Sequence, residues 1–307
     1  MKKNLVLVFT LLIFVLGCKE KTEGKANTSD FIEKVKVYNM LFEQSLQNKN
    51  IDSIVDVYGE KFTFMPEYKT AIFSKPKLKE FYKKWLDTVD LIQYKKSVYE
   101  IQAVDNHVLE IGEYNMEFQQ KLDSIHEYRG KYMIIWKGDQ NGGLKIVSEI
   151  FGSDVFLNPK DVPYSKVSVK DYTDREPTNI SPELRGEILK LSKSAIQNVE
   201  IGDGEARANE FTHDGIYMPH FEKMLVGMDN IKPYMLKTYQ AEAAVYVSHN
   251  FYDIYEFKDF VLVNGHFKGG WGDSINGGTF EGNMSNLRKR TKDRQLLMYR
   301  QLANNDR

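Results

Sequence analysis

Apolar residues recur at helical spacing in three stretches near the start of the chain. The first stretch runs from Phe31 to about Lys49, and a shorter one follows from Asn50 to Tyr58. In the third, Ser74 is placed as an N-cap, and the apolar residues from Leu78 to Leu86 recur at i, i+3, i+4, i+7 and i+8. The pattern therefore predicts three successive helices.

After Asp90 the pattern changes to segments rich in β-branched and aromatic residues, which is typical of strands. Turn signals such as Asp105-Asn106 separate these segments. We predict four strands, at Tyr94–Gln102, His107–Gln120, Ile125–Lys137 and Leu144–Gly152. Helices that cover one face of an antiparallel sheet form an α+β domain.

The same order of elements occurs twice. Tyr99–Tyr114 (YEIQAVDNHVLEIGEY) matches Tyr252–Phe267 (YDIYEFKDFVLVNGHF) at an offset of 153 residues. That offset also places Phe64–Tyr68 on Tyr217–Phe221, and it becomes 152 after the long hairpin. One register shared by separated segments predicts a duplicated domain. We therefore expect a first domain at 31–154, a linker with three prolines at 155–180, and a second domain at 181–307.

The N-terminal residues have the order of an export signal. Two lysines precede the apolar run Leu5–Leu16, which is too short to span a bilayer comfortably, and Gly17 and Cys18 follow. Val15-Leu16-Gly17-Cys18 resembles the lipobox of bacterial lipoproteins, which implies a signal at 1–17 and acyl chains on Cys18. The polar residues after Cys18 predict a flexible tether, so that residues 18–30 comprise the lipidated cysteine and this tether. A plain signal peptide or an uncleaved anchor is the alternative.

The resemblance implies a bacterial cell envelope location, anchored to the membrane through the acyl chains on Cys18. Lys19 is not the Asp that resembles an inner-membrane retention signal, so the outer membrane is expected. Cys18 is the single cysteine, so a mature chain has no free thiol for disulfides or catalysis. The composition, 42% hydrophobic and 28% charged, is that of a folded protein. The net charge of −1 does not indicate the excess of basic residues that nucleic-acid binding needs.

Two motifs carry a resemblance to a known family. In the second copy, the stretch Phe211–Pro219 (FTHDGIYMP) lies between the second helix and the sheet. The first copy ends in a hairpin from Gly130-Lys131-Tyr132 to Leu144–Val147. Together they resemble the SnoaL-like branch of the nuclear transport factor 2-like superfamily. In the second copy Arg288 replaces the usual Trp of the final hairpin.

This resemblance implies two tandem cone-shaped α+β domains, each with three N-terminal helices packed on a curved antiparallel sheet that encloses a pocket. Members of the superfamily commonly pair through their sheets, so the two copies are expected to form an intrachain pseudo-dimer. Members include isomerases, cyclases, dehydratases and pure binding modules, and the fold does not choose among them. The ketosteroid isomerase branch has a general-base Asp at the position that Met65 and Met218 occupy here, which disfavours that chemistry.

The second copy holds the candidates for chemistry. His220 follows Pro219 at the expected mouth of the cone, His266 lies on a central strand, and Asp253 and Tyr255 lie on its neighbour. A histidine beside a carboxylate can act as a general base. The alternative is that these histidines are exposed on a strand or hydrogen-bonded in the core. The scatter of His213, His220, His249 and His266 has no metal-binding spacing, so neither a metal nor a cofactor is expected.

Aromatic residues of the second copy are the candidates for binding a ligand. Tyr217 precedes the expected mouth, and Phe267 and Trp271 lie in the Gly-rich stretch Gly265–Gly282. This stretch is read either as a twisted hairpin with bulges or as a mobile aromatic lid. A basic cluster, Arg288, Lys289, Arg290, Lys292 and Arg294, is read as a solvated hairpin tip, with contact to acidic lipid headgroups or polysaccharide as the alternative.

The sequence therefore favours a lipid-anchored envelope protein that binds a small, largely apolar ligand or a partner without catalysis. One alternative is an isomerase, cyclase or dehydratase that uses the second-domain pocket. The other is a structural or assembly module whose pockets are filled by side chains.

Overall fold

A computed structural model of the chain describes residues 28–120, 124–171, 180–241, 244–272 and 277–305. Cys18, the expected signal at 1–17 and most of the expected tether lie outside these ranges. In the rest, the expected α+β class is confirmed: helices cover one face of each of two sheets.

The first half begins with helices α1 (Thr28–Gln47) and α2 (Ile51–Asp56). A strand that the sequence analysis did not predict, β1 (Tyr58–Met65), then precedes helix α3 (Lys75–Leu86). The four predicted strands follow as β2 (Asp90–Val104), β3 (His107–Gln119), β4 (Ile125–Gly138) and β5 (Leu144–Ser153).

The second half repeats this order. Helices α4 (Pro182–Glu200) and α5 (Gly204–Ala208) come first, and the Ser181 hydroxyl caps α4 by accepting a hydrogen bond from the Leu184 N–H at 3.1 Å. The remaining elements are β6 (Phe211–Met218), β7 (Leu225–Val226), α6 (Met228–Ala241), β8 (Ala244–Phe257), β9 (Phe260–Trp271), β10 (Gly278–Arg290) and β11 (Leu296–Asn305).

The two sheets share one topology. The first has the order β1-β5-β4-β3-β2, and the second has β7-β6-β11-β10-β9-β8. The long strands pair antiparallel, whereas β1 pairs parallel with β5 and β6 pairs parallel with β11. Each sheet is therefore mixed, with β1 at the edge of the first sheet, whereas in the second sheet β7 adds an antiparallel edge strand outside β6.

Matching irregularities curve both sheets. The pairing of β2 with β3 shifts between Val98 and Glu100, opposite Gly112. The pairing of β8 with β9 shifts between Phe251 and Asp253, opposite Gly265, which is Gly112 displaced by the 153-residue offset. A bulge increases the local bend and twist of a strand. The repeat seen in the sequence thus preserves the position at which the sheet bends.

The segment expected to be a linker is partly built into the first domain. Val162 and Tyr164 are fully buried in its core. Further on, Asp171 Oδ2 accepts hydrogen bonds of 2.9 Å from the N–H groups of Phe73 and Ser74 and one of 2.8 Å from the Ser74 hydroxyl. The Ser74 hydroxyl, which was expected to cap α3, thus donates a hydrogen bond to the Asp171 carboxylate of the linker segment.

The outer faces of the two sheets contact each other through one apolar cluster. The first sheet contributes residues such as Leu109, Ile111 and Met133, and the second contributes residues such as Leu262 and Leu302. Each of these side chains is at least nine-tenths buried. Burial of apolar area on both sheets stabilises the pair of domains as one body.

Polar groups fix the register of this contact. Arg300 of β11 makes two parallel hydrogen bonds to the Glu100 carboxylate of β2, at 2.8 and 2.9 Å. The Asn304 side-chain amide donates to the carbonyl oxygens of Met65 at 3.0 Å and Phe151 at 2.8 Å. Bidentate and amide contacts of this kind depend on geometry, so they select one arrangement of the two sheets.

Candidate functional site

The second domain contains an open cavity of about 360 Å³ between its helices and the inner face of its sheet. That volume lies within the usual range of small-molecule sites. Helix α4 contributes Ala195 to the wall, and strands β8 to β11 contribute most of the remainder. Aromatic and aliphatic side chains dominate this lining, among them Ile188, Val199, Tyr217, Tyr234, Tyr239, Val247, Phe251, Val263, Phe267, Phe280, Met284 and Met298.

The equivalent space of the first domain is almost completely filled, with only about 20 Å³ left. The repeat register explains the difference, because large rings of the first copy align with small residues of the second. Phe42 aligns with Ala195, and Phe151 aligns with Ala303. Three further rings of the first copy, Trp85, Tyr94 and Tyr132, align with Thr238, Val247 and Met284.

The two interiors also differ in charge. The first domain buries three carboxylates, Glu67, Glu110 and Glu149, and the last two lie beside the rings that fill its interior. Glu110 accepts hydrogen bonds from Asn39, Tyr132 and Trp136 at 2.6 to 2.8 Å, and Glu149 accepts one from the Tyr58 hydroxyl. In the second copy Val263 and Gln301 occupy these two positions. The cavity lining that the structure describes contains no carboxylate.

Burial makes Glu149 sensitive to pH. Loss of solvation raises the pKa of its carboxyl above the ordinary 4.5, while Lys96 and the Tyr58 hydrogen bond oppose the rise. The folded state therefore holds this proton more tightly than the unfolded state. The stabilising contribution of Glu149 is complete below pH 4.5 and is lost as the pH rises through the raised pKa.

We expect Glu149→Gln to flatten the fall in unfolding free energy that begins above pH 4.5. The change is at most about 1.4 kcal/mol per pH unit, the value for one proton. Urea unfolding of the full chain at a series of pH values measures it. Glu127→Gln, at an exposed position of β4, is the control and should keep the wild-type slope. An unchanged slope in Glu149→Gln would contradict the assignment.

Two arginines line the cavity of the second domain. Arg207 forms an ion pair with Glu210, and the Glu210 carboxylate also accepts a hydrogen bond of 3.1 Å from Asn198. Arg288 is 6% exposed and donates to the Leu296 carbonyl at 3.3 Å. No carboxylate in the described part of the chain forms an ion pair with Arg288. Burial lowers the pKa of its guanidinium to about 10, which leaves it cationic at neutral pH.

Two histidines line the same cavity. His249 Nδ1 is 2.8 Å from the Ser192 hydroxyl, and burial lowers the pKa of this histidine to about 4, with Arg207 and Arg288 acting in the same direction. Burial lowers the pKa of His220 to about 3, with Lys131 acting in the same direction. Both rings are therefore neutral at pH 7 and add no positive charge to the cavity.

The structure divides the candidates from the sequence between two faces of the second sheet. His220, Tyr217 and Phe267 line the cavity. Asp253 is buried on the opposite face, where its carboxylate accepts a hydrogen bond from Thr63 of the first domain, and Tyr255 packs in the shared apolar cluster. Successive side chains of a strand point to opposite faces, and Asp253 follows the bulge in β8.

His266 and Trp271 also lie away from the cavity lining. His266 pairs with Asn283 in the strand ladder, and its Nε2 is 3.9 Å from Glu281 Oε2. Trp271 ends strand β9 with 42% of its surface exposed. The structure therefore places His220 and Asp253 on opposite faces of the sheet and does not bring them together. In the residues that the structure describes, no group of histidine, cysteine and carboxylate side chains could hold a metal ion.

Arg288 was not predicted as a cavity residue, because it begins a run of basic residues that resembles an exposed hairpin tip. Strand β10 continues to Arg290, so the start of the cluster belongs to the sheet. The aligned Trp136 of the first copy is buried, which was a usable signal for an inward position. Arg290 lies further out and pairs with Glu187 of α4 at 2.9 Å.

No family model and no curated protein matches this chain. Solved structures do match it, including a nuclear transport factor 2-like protein from Cytophaga hutchinsonii. That match has 16% identity and a TM-score of 0.35, and it covers 41% of this chain and 98% of that protein. The likeness is one of fold. A nuclear transport factor 2-like superfamily protein from Salmonella enterica matches with 10% identity and a TM-score of 0.38. This match covers 43% of this chain and 96% of that protein.

A ketosteroid isomerase-like protein from Erwinia carotovora also has this fold. Its match has 11% identity and a TM-score of 0.37, and it covers 39% of this chain and 94% of that protein. In this chain Met65 and Met218, which take the place of that branch's base in the sequence resemblance, are fully buried in the cluster between the two sheets.

Proposed function

We propose that this protein is a lipid-anchored envelope protein whose second domain binds a small, largely apolar ligand without catalysis. The observation that carries the proposal is the difference between the two copies, one filled by rings and the other holding a cavity of about 360 Å³. The first domain then has a structural role, and the two domains act as an intrachain pseudo-dimer.

The cavity lining supports binding over acid–base catalysis. The residues described there include no carboxylate, and the pKa values of about 3 and about 4 make His220 and His249 weak bases at neutral pH. An efficient general base has a pKa near the working pH. The carboxylate beside His220, that of Glu67 in the first domain, lies 3.8 Å from His220 Nε2 and already accepts hydrogen bonds from Tyr128 and Ser153, so it does not act as a free general base for the isomerase, cyclase or dehydratase alternatives.

Filling the cavity tests the proposal. Ala195→Phe introduces the ring that Phe42 supplies in the first copy, and it should weaken binding of the neutral probe naphthaleneacetamide by about 100-fold or more, because the ring takes the ligand's space. Titration calorimetry on the full chain measures the affinity. Native mass spectrometry of protein purified from its host should likewise show an added mass that Ala195→Phe lacks.

Leu189→Phe is the matched control, since it adds a ring to the exposed side of the same helix. It should bind the probe as the wild type does. A wild type that carries no added mass and binds the probe no better than Ala195→Phe would overturn the proposed function.

The envelope location rests on the Lys2-Lys3, Leu5–Leu16 and Cys18 pattern. No helix in the described ranges is both long enough and apolar enough to cross a bilayer. We expect metabolic labelling with a fatty acid to mark the wild-type chain and to be absent from Cys18→Ser. Equal labelling of both chains would contradict lipidation at Cys18.

A further inference from the structure

We propose that the ligand of the second domain is a monocarboxylate with an apolar body, and that Arg288 binds its carboxylate. This inference rests on the proposed function, and it adds the chemical class of the ligand. Arg288 is a buried cation in the cavity wall, and such a group is costly unless an anion accompanies it.

The nearby carboxylates of the protein are already engaged. Glu210 pairs with Arg207, and Glu187 pairs with Arg290 at 2.9 Å. Arg288 retains one hydrogen bond among the described residues, to the carbonyl oxygen of Leu296 at 3.3 Å. A guanidinium carries several N–H donors in a planar fork that fits a carboxylate, so Arg288 has donors to spare for an anion.

The repeat provides an internal comparison. In the first copy a carboxylate, Glu110, accepts hydrogen bonds from Asn39 at 2.6 Å and from Trp136 at 2.8 Å. The register aligns Asn39 with Ser192 and Trp136 with Arg288, whereas Glu110 itself aligns with Val263. The second copy therefore keeps polar groups at two of the three donor positions, with Met284 in place of the donor Tyr132, and lacks the acceptor. A ligand carboxylate would take the place that the Glu110 carboxylate has in the first copy.

Other polar atoms of the cavity lack partners. The buried Arg207 Nε and Gln301 Oε1 have no hydrogen-bond partner among the described residues, whereas His220 Nε2 faces Glu67 Oε1 at 3.8 Å. Arg207 and Gln301 both line the cavity, and each unpaired buried atom destabilises the protein until something bonds to it. A ligand with a polar end satisfies some of these atoms, whereas a pure hydrocarbon satisfies none.

Charge balance favours a single negative charge on the ligand. Arg207 is neutralised by Glu210, and the two histidines of the lining are neutral, so Arg288 leaves one positive charge. A carboxylate cancels that charge. A phosphate ester with two charges would bury one charge without a partner.

The test compares three probes that share one aromatic body: naphthaleneacetate, its neutral isostere naphthaleneacetamide, and naphthyl phosphate. The full-length wild type should bind the acetate at least about 10-fold more tightly than the amide or the phosphate. Arg288→Met keeps a long apolar side chain and removes the charge. It should weaken acetate binding by about 30-fold or more and change amide binding by less than about 3-fold.

Two further variants complete the comparison. Arg290→Met removes a charge on the same strand outside the cavity lining, and it should retain wild-type affinities. Arg288→Lys keeps the charge without the planar fork, and its affinity for the acetate should fall between those of wild type and Arg288→Met. Unchanged amide binding by Arg288→Met shows that the variant is folded.

Each contrary result has a distinct meaning. Equal binding of the acetate and the amide by both wild type and Arg288→Met, with both probes lost in Ala195→Phe, would overturn the role of Arg288 and leave the proposed cavity intact. Tighter binding of the phosphate than of the acetate would overturn the carboxylate assignment. Binding of neither naphthaleneacetate nor naphthaleneacetamide by the wild type would overturn both this inference and the proposed function.

Discussion

Replacing Tyr164 with alanine should lower the free energy of unfolding by about 3 to 5 kcal/mol. The Tyr164 ring is fully buried, with its centroid 5.5 Å from that of Phe81 and 5.7 Å from that of Trp85. Its hydroxyl is 2.9 Å from that of Tyr128. Truncation leaves a void among these rings and removes a partner from Tyr128. Urea unfolding of the full chain, followed by tryptophan fluorescence, measures the change.

Two controls separate packing from other effects. Tyr164→Phe keeps the ring and loses only the hydroxyl, so the loss should be about 1 kcal/mol. Lys166→Ala changes an exposed residue of the same segment and should stay within about 0.5 kcal/mol of wild type. If Tyr164→Ala were as stable as Lys166→Ala, residues 155–180 would be a passive linker, as the sequence suggested.

A methyl group added at Gly282 should destabilise the second domain by about 3 kcal/mol or more. The new Cβ would overlap the backbone carbonyl of Asn304 on β11 and lie 2.9 Å from the Phe267 ring. A backbone atom cannot move aside as a flexible side chain can, so β10 and β11 would have to separate. Thermal and urea unfolding of Gly282→Ala measure the loss.

Gly130 is the same position in the first copy, where a Cβ would overlap the Gly152 carbonyl. Gly130→Ala should therefore have a similar effect. Gly186→Ala is the control, since a Cβ there meets no atom within 4 Å. On helix α4 it should raise stability by up to roughly 1 kcal/mol. Similar stabilities for Gly282→Ala and Gly186→Ala would show that the strands do not approach so closely.

Most of the fold could be predicted from the sequence, because the helices and long strands carry strong local patterns and the repeat confirms each one. The strand β1 could not. The predicted second helix extended to Tyr58, yet the helix ends at Asp56 and Tyr58 already belongs to β1. The partner of β1 is β5, far along the chain and parallel, so local sequence gave little indication of the pairing.

The site was less predictable for a physical reason. Which face a strand residue occupies depends on every bulge before it, and the bulge after Phe251 decides the side on which Asp253 lies. The open cavity itself was visible in the repeat, since Ala195 and Ala303 align with Phe42 and Phe151. Arg288 was hidden because a run of basic residues looks like a solvated turn until the end of the strand is known.

The unequal interiors of the two domains have an evolutionary consequence. An empty cavity of this size lowers stability, by about 24 cal/mol per Å³ in simple cores, so a lone domain has little freedom to enlarge one. Here the densely packed first copy shares an apolar cluster with the second. Duplication thus relieves one copy of the selection for a full core. The lining of the second domain can change from rings to alanines, and from carboxylates to an arginine, because the packed first domain and the shared apolar cluster keep the protein stable.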